Sequence, residues 1–157
     1  MGNDKIHIAA CLDRGYVMPT GVMMYSACVN NPEVDIVFHV LIDESVTKED
    51  QQDLIDTVNK FHGVSVLFYA VNSMNSSSFP LVKKGLTRAT YYRLFLSEIL
   101  PPSVEKVLYL DGDIIVRHSL LPLWETDMTD YAVGAVMDVS DGDIRIYNRL
   151  KYPSIYR

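Results

Sequence analysis

Asp35-Ile36-Val37-Phe38-His39-Val40-Leu41-Ile42 reads as a buried β-strand. Its apolar residues run almost without a break, the pattern of a strand covered on both faces. Upstream, Ile6 to Cys11 reads as a shorter buried strand. Leu12 to Met18 is expected to form a loop, closed by Pro19, which suits the first turn of a helix. Gly21 to Val29 then reads as a largely apolar helix, ended by Asn30-Asn31-Pro32. Downstream of the central strand, Ser45 or Thr47 can cap a helix whose positive end Glu49 and Asp50 favour. Leu54, Ile55, Val58 and Phe61 fall on one face of that helix, Gly63 stops it, and Val64 to Val71 is a third strand. The alternation β-α-β-α-β predicts an α/β fold, a mostly parallel sheet with helices on its faces.

The rest of the chain extends this pattern. Asn72 to Phe79 is rich in Ser and Asn and reads as a loop. Thr87 or Thr90 can cap a helix with Tyr92, Phe95, Leu96 and Ile99 on its apolar face, and Pro101-Pro102 ends it. A strand is expected over Lys106 to Leu110, then the acids of Asp111-Gly112-Asp113, then a resumed apolar run, Ile114-Ile115-Val116. Leu120 to Trp124 resembles a short helical turn, and Tyr131 to Met137 reads as another buried strand with Asp138 at its end. The tail from Ser140 to Arg157 is polar and aromatic without a convincing period. With no repeat, low-complexity segment or linker, residues 1–157 are expected to form one domain.

Asp111 and Asp113 are the chemical oddity. Two carboxylates two residues apart in an apolar run cost on the order of several kcal/mol unless something positive sits against them. A divalent cation fits, and hard oxygen ligands suit Mg, Mn or Ca. Gly112 leaves the tip without a side chain, so a phosphate or sugar can approach the backbone. Asp13 follows the first strand and Asp138 ends a later one. If the strands are parallel, these acids share one rim, the carboxyl edge where open α/β sheets bind ligands.

Composition narrows the classes. A formal net charge of -6 argues against a nucleic-acid partner. No apolar run is long enough to span a bilayer. Met1-Gly2-Asn3-Asp4-Lys5 leads directly into an apolar strand, so no secretory leader is expected. Cys11 and Cys28 lack metal or redox spacing and are expected as buried free thiols in a reducing, cytoplasmic setting.

The chain resembles the N-terminal portion of family 8 glycosyltransferases, the family of bacterial lipopolysaccharide galactosyl- and glucosyltransferases and of glycogenin. The most specific match is Lys106-Val107-Leu108-Tyr109-Leu110-Asp111-Gly112-Asp113 followed by Leu120-Leu121-Pro122-Leu123-Trp124. Ile8 to Asp13, Phe38 to Leu41, Thr90 to Leu94 and Val133 to Asp138 add to it. The resemblance implies a GT-A fold, a Rossmann-like nucleotide-binding sandwich. It also implies a UDP-sugar donor (UDP-galactose or UDP-glucose), a saccharide or lipopolysaccharide-core acceptor, retention of anomeric configuration and a Mn2+ (or Mg2+) ion. By the same carry-over Asp111 and Asp113 ligate the metal, and the metal bridges the two phosphates. Asp13 accepts a hydrogen bond from uracil, with Cys11, Leu12 and Tyr16 beside the nucleotide. Arg93 pairs with the diphosphate or orients the donor sugar. Gly112 lines the substrate site, and Asp138 holds sugar hydroxyls. Family members often act beside membranes, so work at the inner face of the cytoplasmic membrane is also implied.

Two departures from the family pattern stand out. Asp13-Arg14-Gly15-Tyr16 replaces the family's Asp-Asn-Tyr, so Gly15 offers no Asn side chain and nucleotide affinity is expected to be lower, or carried by backbone. The family's Phe-Asn-Ala-Gly segment, its acidic-Gln site and its distal metal-binding His all lie beyond Arg157. The catalytic residues are therefore expected outside this sequence, and the chain reads as truncated and impaired in transfer.

Several plainer readings compete. Asp111 and Asp113 can form a solvated turn, Asp13 a turn residue, Arg93 a surface ion pair, Asp138 a cap, and Trp124 a core residue rather than a sugar platform. His7, His39, His62 and His118 show no ligand spacing and are expected to be structural or exposed. Lys83-Lys84 reads as a solvated face, and Tyr147, Tyr152 and Tyr156 as aromatics that have lost a partner. Among functions, the rivals are a non-catalytic UDP- or metal-binding remnant and a Mg-dependent phosphatase of the haloacid dehalogenase type. The latter's DxD normally opens the chain on the first strand. A nicotinamide dehydrogenase is disfavoured because no G-x-G-x-x-G follows the first strand.

Overall fold

The computed structural model describes residues 5–71 and 89–136. The chain divides into two compact units, Met1–Glu125 and Thr126–Arg157. The first is built on β1 (Ile6–Leu12), α1 (Val17–Val29), β2 (Ile36–Ile42), α2 (Lys48–Val58) and β3 (Val64–Ala70). The short elements α3 (Ala89–Tyr92), α4 (Leu96–Ile99), β4 (Leu108–Tyr109) and α5 (Leu121–Trp124) follow. All strand pairings among the described residues are parallel, in the order β3-β2-β1-β4. The α/β expectation holds, with β2 central and buried along its whole length.

Alternation along the strands makes two unlike faces. Ile6, Ile8, Ala10 and Leu12 point to the same side as Ile36, Phe38, Val40 and Ile42, where Met23, Met24 and Ala27 of α1 and Leu54 and Val58 of α2 complete the main core. Burial of each large side chain there contributes roughly 1.5–3 kcal/mol. Leu41, Val71 and Tyr92 form a smaller cluster with Cys11, Tyr69, Leu96 and Ile99. That cluster lies on the opposite face, which also carries His7 and His39.

Local chemistry sets the element ends. Thr47 caps α2 through a reciprocal box with Asp50: the Thr47 hydroxyl accepts from the Asp50 backbone N–H, and the Asp50 carboxylate accepts from the Thr47 N–H. The hydrogen bonds from the Thr47 hydroxyl and, next, from its N–H hold the Asp50 carboxyl below its ordinary range. Gly63 has φ 73°, and a side chain there would collide with the Asp35 carboxylate just ahead of β2. Only glycine suits this turn.

Three expectations are corrected. The first helix begins at Val17 rather than Gly21. Pro19 is tolerated because N–H groups of a first turn have no intrahelical partner. The helix expected to end at Ile99 is broken by a 3-10 turn over Arg93–Phe95. Finally, residues 131–136 are not strand; Val133 and Val136 are exposed. Apolar residues alone do not make a strand, which needs a neighbour for its N–H and C=O groups. In the second unit a turn forms instead: Asp127 Oδ1 accepts from the Thr129 N–H at 3.0 Å, and the Tyr131 N–H donates to the Met128 carbonyl.

The expected helical turn at Trp124 is present, and Trp124 packs against the main core. Asp138, Thr87, Lys83, Lys84 and the aromatics of the tail lie outside the described residues.

Candidate functional site

β1 is the point where strand order reverses: β2 follows it on one side and β4 on the other. Ile8 pairs with Leu108 and Ala9 with Tyr109, and the Leu110 N–H donates to the Ala9 carbonyl at 2.9 Å. The parallel register brings the carboxyl ends of β1 and β4 side by side. Asp13 leaves one and Asp111 the other, at the kind of crevice where such sheets bind ligands.

The segment after β4 is held at both ends. Beyond the acids, the Val116 N–H donates to Ser26 Oγ at 3.0 Å, and Asn30 Nδ2 donates to the Val116 carbonyl at 3.0 Å. Asn31 Oδ1 accepts from the Leu120 N–H at 2.7 Å while its Nδ2 donates to the Ala27 carbonyl at 2.8 Å. Ser26, Asn30 and Asn31 therefore clamp the far side of the acidic turn to the C-terminal end of α1. In the sequence Asn30 and Asn31 mark a helix stop. Nothing local distinguishes a stop from a clamp whose partners lie about ninety positions away.

Asp111 and Asp113 stand on an exposed turn, not inside a strand. The positive partner required for Asp111 is present: Arg93 Nη2 lies 3.2 Å from Asp111 Oδ1. The same guanidinium sits 4.5 Å from the centre of the Tyr109 ring, a stacking its planar, permanent charge favours. The Asp111 side chain is 54% exposed, so its charge keeps most of its hydration. Cys11 joins this group from β1. Burial pushes its thiol up to about 12, against the opposing pull of Arg93 and a hydrogen bond with Tyr109. Burial also raises the Tyr109 phenol, followed by the effect of Cys11. Cys11, Arg93, Tyr109 and Asp111 thus form one cluster.

Leu12 turns its side chain into the main core, so only its backbone is offered at the rim. Asp13 Oδ1 accepts from the Gly15 N–H at 2.9 Å, capping the 3-10 turn Arg14–Tyr16. Tyr16 is exposed where that turn meets α1. The Arg14 N–H donates to Ser45 Oγ at 3.0 Å, and Arg14 Nε lies 3.6 Å from Asp50 Oδ2, tying this loop to the start of α2.

Gly112 is buried beneath the acids. A Cβ there would run into Thr20 Oγ1 of α1 and stand 3.5 Å from Thr20 Cβ. At Gly112 a side chain would have to displace the Thr20 hydroxyl, a contact between residues far apart in the sequence.

The oxygen donors of Asp111 and Asp113 suit a hard divalent cation. No group of three or more His, Cys, Asp or Glu gathers among the described residues. Two exposed carboxylates can hold such an ion with phosphate and water completing its shell, the usual manner for Mg.

His7 and His39 make a separate polar line on the same face of the sheet. His7 Nδ1 lies 2.8 Å from His39 Nε2, and His39 Nδ1 lies 2.9 Å from the Tyr69 hydroxyl. Burial lowers both imidazoles, His39 to about 4. They are neutral at physiological pH, in agreement with a structural role.

Similarity to other proteins converges on one family. Residues 7–154 match the profile of Glycosyl transferase family 8. The chain is 29% identical over 146 residues to lipopolysaccharide 1,3-galactosyltransferase of Salmonella typhimurium, covering 93% of this chain and 42% of that protein. It is 30% identical over 140 residues to general stress protein A of Bacillus subtilis, covering 88% and 48%. The galactosyltransferase LgtC, solved with donor and acceptor sugar analogues, superposes with a TM-score of 0.79 at 30% identity over 95% of this chain and 51% of that one. An active-site mutant of LgtC gives 0.82 at 31%, over 92% and 50%. The chain spans about half the length of these relatives. No helix among the described residues is long and apolar enough to cross a membrane. By its matched residues and its superposition, the chain belongs to glycosyl transferase family 8.

Proposed function

We propose that this chain supplies the nucleotide-sugar-binding half of a hexosyltransferase that takes a hexose from UDP-galactose or UDP-glucose. The observation that carries the reading is the emergence of Asp111-Gly112-Asp113 from β4 beside the end of β1, where strand order reverses. Asp111 and Asp113 would hold a Mn2+ or Mg2+ ion. When bound, that ion supplies Lewis-acid neutralisation of charge on the diphosphate leaving group.

The chain's own residues do the rest of the binding. Arg93 exchanges Asp111 for the diphosphate or donor sugar, since its guanidinium is already aimed at the rim. Asp13 accepts a hydrogen bond from the uracil N–H. Backbone groups of Cys11 and Leu12 border the base, with Tyr16 beside it. Asp138 would hold sugar hydroxyls. The acceptor is proposed as a saccharide or lipopolysaccharide core, with retention of configuration and action at the cytoplasmic face of a membrane. LgtC, with its donor and acceptor analogues, supports the substrate class.

Calorimetric titration with UDP, with and without Mn2+, tests the site: binding that requires Mn2+ is expected, and its absence would overturn the proposal. Release of UDP from UDP-galactose or UDP-glucose then separates transfer from binding alone.

A further inference from the structure

Thr20 carries the one buried side-chain polar atom left without a hydrogen-bond partner among the described residues. The residue is 0% exposed. Its Oγ1 is the atom nearest to where a Cβ on Gly112 would stand. Two observations therefore meet at one place: an orphaned hydroxyl, and a turn with no room for a Cβ on Gly112 unless that hydroxyl moves. An unpaired buried hydroxyl is unfavourable, and native structures rarely keep one without a reason. Gly112 has only its N–H and C=O to offer, and both belong to the peptide units that carry Asp111 and Asp113. The turn is fixed at Leu110 on one side and Val116 on the other. Adjustment between those anchors is confined to the acids and their immediate neighbours.

We propose that Thr20 is a positioning residue for the acidic turn: its hydroxyl hydrogen-bonds the Gly112 backbone in the ligand-bound form and so orients Asp111 and Asp113 toward a metal–diphosphate. The inference rests on the nucleotide-sugar reading above. Asp111 lies against Arg93 in this arrangement. Release of that pair lets the flanking peptides turn, and the Thr20 hydroxyl gains the partner it lacks.

The test separates the hydroxyl from the shape of the side chain. Thr20→Val keeps the shape and removes the hydroxyl; Thr20→Ser keeps the hydroxyl; Thr20→Ala removes both. Mn2+-dependent UDP affinity is measured by calorimetry on the 157-residue chain, and thermal stability is measured without ligand. Thr20→Val is expected to melt at or above the temperature of the unaltered chain, yet to bind UDP with Mn2+ about tenfold more weakly. Thr20→Ser is expected to bind within about twofold of the unaltered chain, and Thr20→Ala as weakly as Thr20→Val. Equal affinity of Thr20→Val and the unaltered chain would overturn the inference while leaving the nucleotide-sugar reading intact. If Thr20→Val does not fold, equal affinity of Thr20→Ser and Thr20→Ala does the same. Failure of the unaltered chain to bind UDP with Mn2+ would remove both.

Discussion

Arg93 Nη2 stands 3.2 Å from Asp111 Oδ1 across the end of β4, with the guanidinium over the Tyr109 ring. Both partners are partly exposed, so the pair is worth no more than about 1 kcal/mol to folding. Its significance is positional, because a cation seeking Asp111 must compete with Arg93. Arg93→Ala is expected to tighten binding of Mn2+ alone by about two- to fivefold, the free-energy range of an exposed pair. The same substitution should weaken binding of UDP with Mn2+. Parallel titrations with metal alone and with metal plus nucleotide check the opposite signs.

Asp111→Asn should change stability by less than about 1 kcal/mol, because the carboxylate is exposed. It should nevertheless abolish Mn2+-dependent UDP binding. A urea unfolding curve beside a calorimetric titration separates the two effects.

Asn31 satisfies the buried Leu120 N–H and the Ala27 carbonyl together. Asn31→Ala removes both partners and is expected to cost about 2–3 kcal/mol. The loss should appear in the denaturation midpoint. Mn2+-dependent UDP binding should weaken as well, since the clamp beyond the acidic turn is released.

His39 gives the chain a pH signature. Its folded form titrates at about 4, against an ordinary value of 6.5, because burial disfavours the charged imidazole. The unfolded chain therefore takes up the proton first as pH falls. The stability associated with neutral His39 is intact above pH 6.5 and is lost progressively toward pH 4, by at most about 3 kcal/mol. Unfolding free energies measured across that window should show the slope, and His39→Gln should flatten it.

Burial holds both thiols high, Cys11 and Cys28 each to about 12. At pH 8 only about one Cys11 in ten thousand is a thiolate. Iodoacetamide should leave both cysteines intact in the folded chain and modify both in urea. Mass spectrometry reads the difference.

The alternation of elements was legible because it depends on local patterns. Continuous apolar runs predicted β1, β2 and β3, and Thr47 with Asp50 predicted the start of α2. Gly63 also announced its own turn. The same rules failed at residues 131–136, where apolar composition resembles a strand but the backbone forms none. They failed too at Val17–Thr20, because a helix start written without an Asn, Ser or Asp cap carries little local signal.

By itself, then, the sequence determined an α/β chain of family 8 type with Asp111 and Asp113 at the end of a strand. Tertiary structure decided what those acids meet. The parallel register of β1 and β4 set their turn beside Asp13, and Arg93 came to Asp111 from a broken helix. Gly112 proved to be a contact with Thr20, and Asn31 a clamp on Leu120. Each of these pairings joins residues far apart in the chain. Periodicity and capping read neighbours a few positions apart, whereas such contacts exist only once the sheet has fixed which ends lie together.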